Sequence, residues 1–189
     1  MTSPTAEKLL TAEEFAETKD PPNMETELVR GRIVCMPPAK TPHGYYGARI
    51  GDALGDFFRP RKLGISTGEG GYVLARDPDT VRAPDAAFLK ASRVPPGWPD
   101  LDEYVEGAPT LAVEVVSRGQ TEDEVARKIE DWLDGGAERV WEVRPRLRTV
   151  TVHRRGAEPR TFTAEDTLTS DDAAFEVEGF ALVVGDIFA

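Results

Sequence analysis

The 189-residue sequence lacks several things, and each absence narrows what the chain can be. Cysteine occurs once, at Cys35. That excludes an intramolecular disulfide and a cysteine-based zinc site, and it fits a reducing cytoplasm. No apolar run approaches the length of a membrane span. The start, MTSPTAEKLLTAEEF, has neither a basic opening nor a long apolar segment, so it does not read as a secretory signal. A cytoplasmic protein without membrane contact is the expectation. Positive charge is also short: 23 Lys and Arg stand against 34 Asp and Glu, a net charge of −11. Such a chain does not coat nucleic acid non-specifically, because phosphate binding needs clustered Lys and Arg. A small basic patch and a carboxylate metal site remain open. There is no phosphate-binding glycine loop, zinc finger, nucleophilic-serine elbow, internal repeat or low-complexity tract.

What is present reads as an ordinary globular chain, 40% hydrophobic and long enough for one domain over residues 1–189. TAEEF opens a first helix, with Thr11 and Glu14 at capping-box spacing, ending before Asp20-Pro21-Pro22. ETELVRGRIVCMP reads as a hairpin around Arg30-Gly31. TPHGYYGARIGDALGDFFRP reads as a second helix, with Thr41 as its cap and Pro42 in its first turn. Its glycines, Gly47, Gly51 and Gly55, form a narrow ridge suited to close packing. GYVLARDPDTVRAPDAAFL gives a strand, a turn and a strand, and SRVPPGWPDLDEYVEGAP an acidic surface loop. ERVWEVRP and RTVTVHRR alternate as strands around a basic turn, and strand-like pieces follow to the end. The expected fold class is α/β (α+β): a mixed sheet flanked by helices, with additional β-hairpins.

The stretch LAVEVVSRGQTEDEVARKIEDWLDGG carries the chemistry. Leu111 to Val116 reads as a central strand buried on both faces, yet Glu114 sits in its middle. An ionised carboxylate there costs several kcal/mol (~3–5) unless it is paired or binds a metal. It shares its face with Ala112 and Val116. The next helix starts at Thr121, with Glu124 completing a capping box. At about 100° per residue, Val125, Ile129, Trp132 and Leu133 form one apolar stripe. Lys128 falls at the edge of that stripe, while Arg127 faces water. The plain reading is an internal Glu114–Lys128 ion pair, or a lysine snorkelling along the core edge.

Asp85, just after Pro84, shifts the balance. Aspartate is a poor strand former. If its strand pairs with that of Glu114, two carboxylates converge, and the usual remedies are a shared proton or a divalent cation. A lysine beside a metal-activated water completes a hydrolytic site.

Pro84-Asp85, then Val113-Glu114-Val115-Val116-Ser117, then Lys128 before Gly135-Gly136, resemble the PD-(D/E)-x-K nuclease superfamily and, more closely, its Uma-type restriction-endonuclease family. The TELVRGRIV hairpin, DPDTVRAPDAAF and RVWEV extend the likeness over most of the chain. The resemblance implies a restriction-endonuclease-like fold and hydrolysis of DNA phosphodiesters leaving a 5′-phosphate. It implies Mg²⁺, with Mn²⁺ as a possible substitute, on Asp85 and Glu114, and Lys128 as the catalytic lysine. It also brings a possible homodimer. The superfamily lysine usually stands two residues after the acid, where this chain has Val116; here the amine stands on the following helix.

Further candidates are Glu27, an additional carboxylate over the site or a cross-strand surface charge, and Glu69, in a glycine-rich approach to a strand. His43, inside the second helix, is a phosphate contact, a proton carrier or a structural histidine. His153 has no assigned role. Arg59, Arg61 and Lys62, and Arg144, Arg146, Arg148, Arg154 and Arg155, are candidate phosphate tracks or plain solvated surface. The rival of a different class is a non-catalytic module of this fold that binds protein or nucleic acid. A third reading is hydrolysis of a smaller phosphodiester.

Overall fold

The computed structural model describes residues 8–38 and 40–189. A short helix α1 (Ala12–Ala16) leads into the hairpin β1 (Glu25–Val29) and β2 (Arg32–Met36), followed by the long helix α2 (Thr41–Arg61). Then come β3 (Gly64–Thr67), β4 (Tyr72–Ala75), β5 (Thr80–Arg82), β6 (Ala86–Lys90), the two-residue β7 (Val105–Glu106) and β8 (Leu111–Val115). Helix α3 (Glu122–Asp134) precedes β9 (Arg139–Arg144), β10 (Thr149–His153), β11 (Arg160–Phe162), β12 (Thr167–Thr169), β13 (Ala181–Val183) and a last turn α4 (Val184–Ile187).

The mixed α/β class is as expected, but the strands divide among more than one sheet. Five form the order β2-β1-β5-β4-β7, six form β11-β10-β9-β8-β6-β3, and β12 pairs with β13. The division falls at Ala83-Pro84-Asp85. Proline has no N–H to extend a ladder, so β5 ends in one sheet and β6 begins in the other.

Strand β8 is buried along its whole length. Leu111, Val113 and Val115 face a cluster containing Ile50, Leu54 and Phe58 of α2. Ala112 faces the other cluster, with Val125, Ile129 and Trp132 of α3. Strand β8, helix α3 and parallel β9 make one crossover unit. Among the described residues no helix is long and apolar enough to cross a membrane.

Local signals hold where they rest on capping and turn chemistry. Thr11–Glu14 and Thr121–Glu124 both form complete capping boxes. Arg30 and Gly31 adopt φ of 51° and 74°, the positive pair that a two-residue hairpin turn of the right twist requires. Thr41 is a correction. The chain is already helical there, so Lys40 occupies the capping position and no side chain caps α2. Strand β3 was not legible: four residues that begin at a glycine carry little periodicity. Gly64 is required, since a Cβ there would lie 2.1 Å from the Leu89 carbonyl oxygen.

Candidate active site

Antiparallel β6 and β8 pair Ala86 with Val113 and Ala87 with Ala112. Continued by one residue, that register sets Asp85 opposite Glu114. The Asp85 amide donates to the Val113 carbonyl at 2.9 Å, and its Oδ2 accepts from the Val115 amide at 2.6 Å. Helix α2 closes over this point through Gly47, where a Cβ would stand 2.9 Å from the Asp85 carbonyl oxygen. Of the glycine ridge, Gly47 alone meets this strand; Gly51 faces open space and Gly55 meets the Arg59 guanidinium.

One turn before Gly47, His43 reaches the same place. Its Nε2 lies 2.6 Å from the Val115 carbonyl oxygen. A carbonyl only accepts, so Nε2 carries the hydrogen and a neutral ring leaves Nδ1 as a bare lone pair. That Nδ1 is buried, has no hydrogen-bond partner among the described residues, and stands 3.4 Å from Asp85 Oδ1. Burial, and then the Glu114 charge, push the Asp85 carboxyl up to about 8; the Val115 amide and Lys128 only partly oppose this.

Glu114 lies on the α3 face of β8, where two residues one helical turn apart meet it. Trp132 Nε1 donates to its Oε1 at 2.7 Å, and Lys128 Nζ stands 3.5 Å from its Oε2. The same ammonium is 3.2 Å from Glu27 Oε1. Arg82 Nη1 donates to Glu27 Oε2 at 2.6 Å and, through Nε and Nη2, to Asp131 at 2.8 and 2.6 Å. The Lys128 side chain is 15% exposed, so the amine points into the protein. Burial pulls its pKa down, but the Glu114 and Glu27 carboxylates outweigh that and hold it above the ordinary lysine value.

Glu27, Asp85, Glu114 and Asp131 thus face Lys128 and Arg82. With every acid ionised the cluster is two positive charges short. A proton on Asp85 supplies one, and a divalent cation would supply both. Among the described residues no three His, Cys, Asp or Glu side chains form a ready-made cage. Mg²⁺ does not need one: it is held by one or two carboxylates, with waters and substrate phosphate completing its shell. Two carboxylates on facing strands and a bare imidazole nitrogen beside one of them fit a hard or borderline divalent ion.

Asp85, Glu114, Lys128 and His43 therefore converge, and Glu27 joins them through Lys128. Among the described residues Glu69 makes no hydrogen bond or ion pair with the cluster. It lines an open cleft of about 560 Å³ with Glu27, Arg82 and Tyr104, and only its charge reaches Asp85. Sequence reasoning missed the roles of Trp132, Arg82 and Asp131. An indole on an apolar stripe facing an acid-bearing strand is the signal that could have found Trp132. The basic clusters are largely paired within the protein. Arg144 meets Glu122 and Glu142, Arg154 meets Asp171, Arg155 meets Asp134, and Arg61 and Arg148 donate to main-chain carbonyls. His153 lies 2.9 Å from Glu142 and has no contact with the site.

A mixed sheet flanked by helices, with facing acids on adjacent strands, is the framework of restriction-endonuclease-like proteins, and the amine on the next helix is this chain's departure from it. Within them the chain belongs to the Uma2 family, described as "Putative restriction endonuclease", whose sequence pattern matches residues 12–182. The crystal structure of a protein described as a putative nuclease, from Anabaena variabilis, is similar at a TM-score of 0.79. The two share 21% identity over 95% of this chain and 97% of that one, a likeness of fold. No curated protein matches the chain.

Proposed function

We propose that this protein is a divalent-metal-dependent endonuclease that hydrolyses DNA phosphodiester bonds, as a single cytoplasmic domain using Asp85, Glu114 and Lys128. The observation that supports the reading best is the buried cluster short of positive charge, where Asp85 Oδ1 faces a bare His43 Nδ1 at 3.4 Å. Asp85 and Glu114 would hold Mg²⁺ or Mn²⁺, with His43 Nδ1 as a third donor that favours Mn²⁺. When bound, the ion supplies an activated water and offsets charge on the phosphate.

The chain's own residues do the rest. Water oxygen bonds to phosphorus in line with the departing O3′, the P–O3′ bond breaks, and a proton passes to O3′. The products are a 5′-phosphate and a 3′-hydroxyl. Lys128 brings an ammonium, held by Glu114 and Glu27, to the negative charge that grows on the phosphate. A pre-organised donor of this kind is worth about 10²–10³ in rate. Trp132 fixes one Glu114 oxygen and leaves the other toward Lys128. Arg82 holds Glu27, which in turn holds Lys128.

A non-catalytic binding module is the second reading. It is favoured by the internal pairing of most basic side chains and by the net charge of −11. Nicking of supercoiled plasmid with Mg²⁺ or Mn²⁺ separates the two. The parent should nick slowly, and Glu114→Ala and Lys128→Ala should lose nearly all activity. Equal residual nicking in all three points to contamination and to the binding module. A nucleotide dimer run beside the plasmid tests whether the substrate is a smaller phosphodiester.

A further inference from the structure

We propose that the open cleft beside the acid cluster is a pocket for one unstacked guanine base, stacked on Tyr104 and read by Glu69. The pocket stands on its own geometry; that the base belongs to the cleaved strand rests on the nuclease reading. The cleft, about 560 Å³, lies between α1, β1, β5 and the segments that lead into β4 and β7. That size suits one small ligand, for which clefts run to about 300–1,000 Å³, and not a duplex. Buried Glu27 and Arg82 form its inner wall. Glu27 is also 3.2 Å from Lys128 Nζ, so the cleft and the acid cluster share that wall.

An aromatic platform is built into the cleft. Tyr104, half-buried, comes from the acidic loop before β7 and stacks on the buried Phe15. The ring centroids are 6.1 Å apart and the planes 26° from parallel. Gly71 leaves room for the ring, since a Cβ there would lie 2.5 Å from Tyr104 Cδ1. A ring held in this way and partly open to the cleft offers a stacking surface that costs little to order.

The hydrogen-bonding inventory selects the base. Positive charge at the wall is used up. Arg82 donates to Glu27 and Asp131 through all three nitrogens, and Lys128 is held by Glu27 and Glu114. A phosphate therefore meets no free cation among the lining residues. Thr18 donates to the Phe15 carbonyl at 2.7 Å, and Thr26 donates to Asp20 Oδ1. Besides the Tyr104 hydroxyl, what is left is acceptor: Asp20 Oδ2 and both oxygens of Glu69, which no hydrogen bond or ion pair among the described residues reaches.

An unstacked base is read on its Watson–Crick edge. Guanine alone sets two N–H donors side by side there, N1–H and N2–H, to match the two oxygens of one carboxylate. Adenine and cytosine place a bare ring nitrogen beside their amino group, and thymine flanks its N3–H with two carbonyls; a carboxylate repels each of these acceptors. Glu69 has both oxygens to offer, whereas Thr26 occupies one of Asp20. Because one side chain, Glu27, separates cleft from cluster, a base held here leaves its own phosphate near Lys128. The substrate is then a strand with an unpaired guanine, since unstacking costs least where pairing is already lost.

NMR titration of the full, metal-free chain with nucleosides tests the pocket. Deoxyguanosine should bind about tenfold more tightly than deoxyinosine, which lacks only the N2 amino group, and Glu69→Gln should bring the two within about twofold. Tyr104→Ala should weaken both about tenfold, and Tyr104→Phe by less than about twofold. With Mn²⁺, a duplex with one bulged guanine should be cut beside it about tenfold faster than one with hypoxanthine bulged in its place. Equal binding of the two nucleosides, indifference to Glu69→Gln and Tyr104→Ala, or binding of spermidine in place of deoxyguanosine overturns the pocket. Selective binding with equal cutting of the two bulges overturns the substrate assignment and leaves a site for a free guanine nucleoside. Binding without any cleavage keeps the pocket and removes the nuclease reading; cleavage without binding does the reverse.

Discussion

Replacing Lys128 by methionine separates a catalytic lysine from a structural one. The change removes the ammonium shared by Glu114 and Glu27 and keeps most of the apolar stem beside Val125. Removing one member of a buried ion pair costs about 3–5 kcal/mol, because a charge is left without compensation. Here both acids keep a second donor. Trp132 stays on Glu114 at 2.7 Å and Arg82 on Glu27 at 2.6 Å. The expected loss is therefore about 2–4 kcal/mol, shifted about 1 kcal/mol below that range. For a chain of this length it lowers Tm by roughly 4–16 °C. Glu27→Gln on top of Lys128→Met removes one surplus negative charge and should recover part of that loss. Nicking should behave differently, falling about 10²–10³-fold in Lys128→Met and staying low in the double variant. Thermal unfolding and plasmid nicking on the same preparations give both readouts. Nicking within about threefold of the parent (under 1 kcal/mol of barrier) despite the lower Tm would refute the catalytic role. Nicking that recovers together with Tm would refute it equally.

Two further outcomes follow from the neighbouring acids. The Asp85 carboxyl is pushed up to about 8, so the metal-free folded chain keeps a proton that the unfolded chain releases near pH 4. The folded state binds more protons across that window, so stability is full below about pH 4 and falls as pH rises towards 8. Urea unfolding at intervals from pH 5 to 8.5 should show this fall, and Asp85→Asn should flatten it; a parent whose stability rises over that range refutes the assignment. Trp132→Phe strips the donor from Glu114 Oε1 and leaves that oxygen unsatisfied, at about 1–3 kcal/mol. Calorimetric titration with Mn²⁺ should then show about tenfold weaker binding, since supporting hydrogen bonds tune metal ligands; unchanged affinity would leave the indole a packing residue.

What could be read from the sequence, and what could not, divides by the distance over which the physics acts. The Thr121–Glu124 box fixes where α3 starts, and 100° per residue then carries Lys128 to the edge of the apolar stripe. Every step lies within eight residues. The hairpin at Arg30-Gly31 is equally local. The meeting of Asp85 and Glu114 depends on strand register, so the residues gave it only on the condition that their strands pair, and the family resemblance supplied the rest. The division into separate sheets at Pro84 had no local marker beyond the proline itself. Arg154 looked like open basic surface because its carboxylate, on Asp171, lies 17 residues away; Arg144 reaches Glu122, 22 residues away, as well as Glu142 on its own strand. Trp132 was counted as apolar, and the pattern that buried it hid its N–H. Arg82 was passed over because a strand arginine reads as surface, although it proves to be buried between Glu27 and Asp131.

The position of Lys128 has a physical basis in this division. On the α3 face of β8, Ala112 packs into the core, and Glu114, one pleat further along, meets Trp132 and Lys128. Trp132 is fully buried and four residues after Lys128, so the packing that seats the indole also sets the azimuth of the amine. A one-residue slip of α3 would turn Lys128 by about 100°, away from both acids, and would expose Val125 and Ile129 as well. The core therefore sets the side on which Lys128 leaves the helix, and Glu114 and Glu27 then hold its ammonium. An amine fixed by packing does not need a place on the acid's own strand, which leaves Val116 free to remain apolar. Core substitutions that shift α3, such as Ile129→Ala, would therefore move the ammonium by moving the helix.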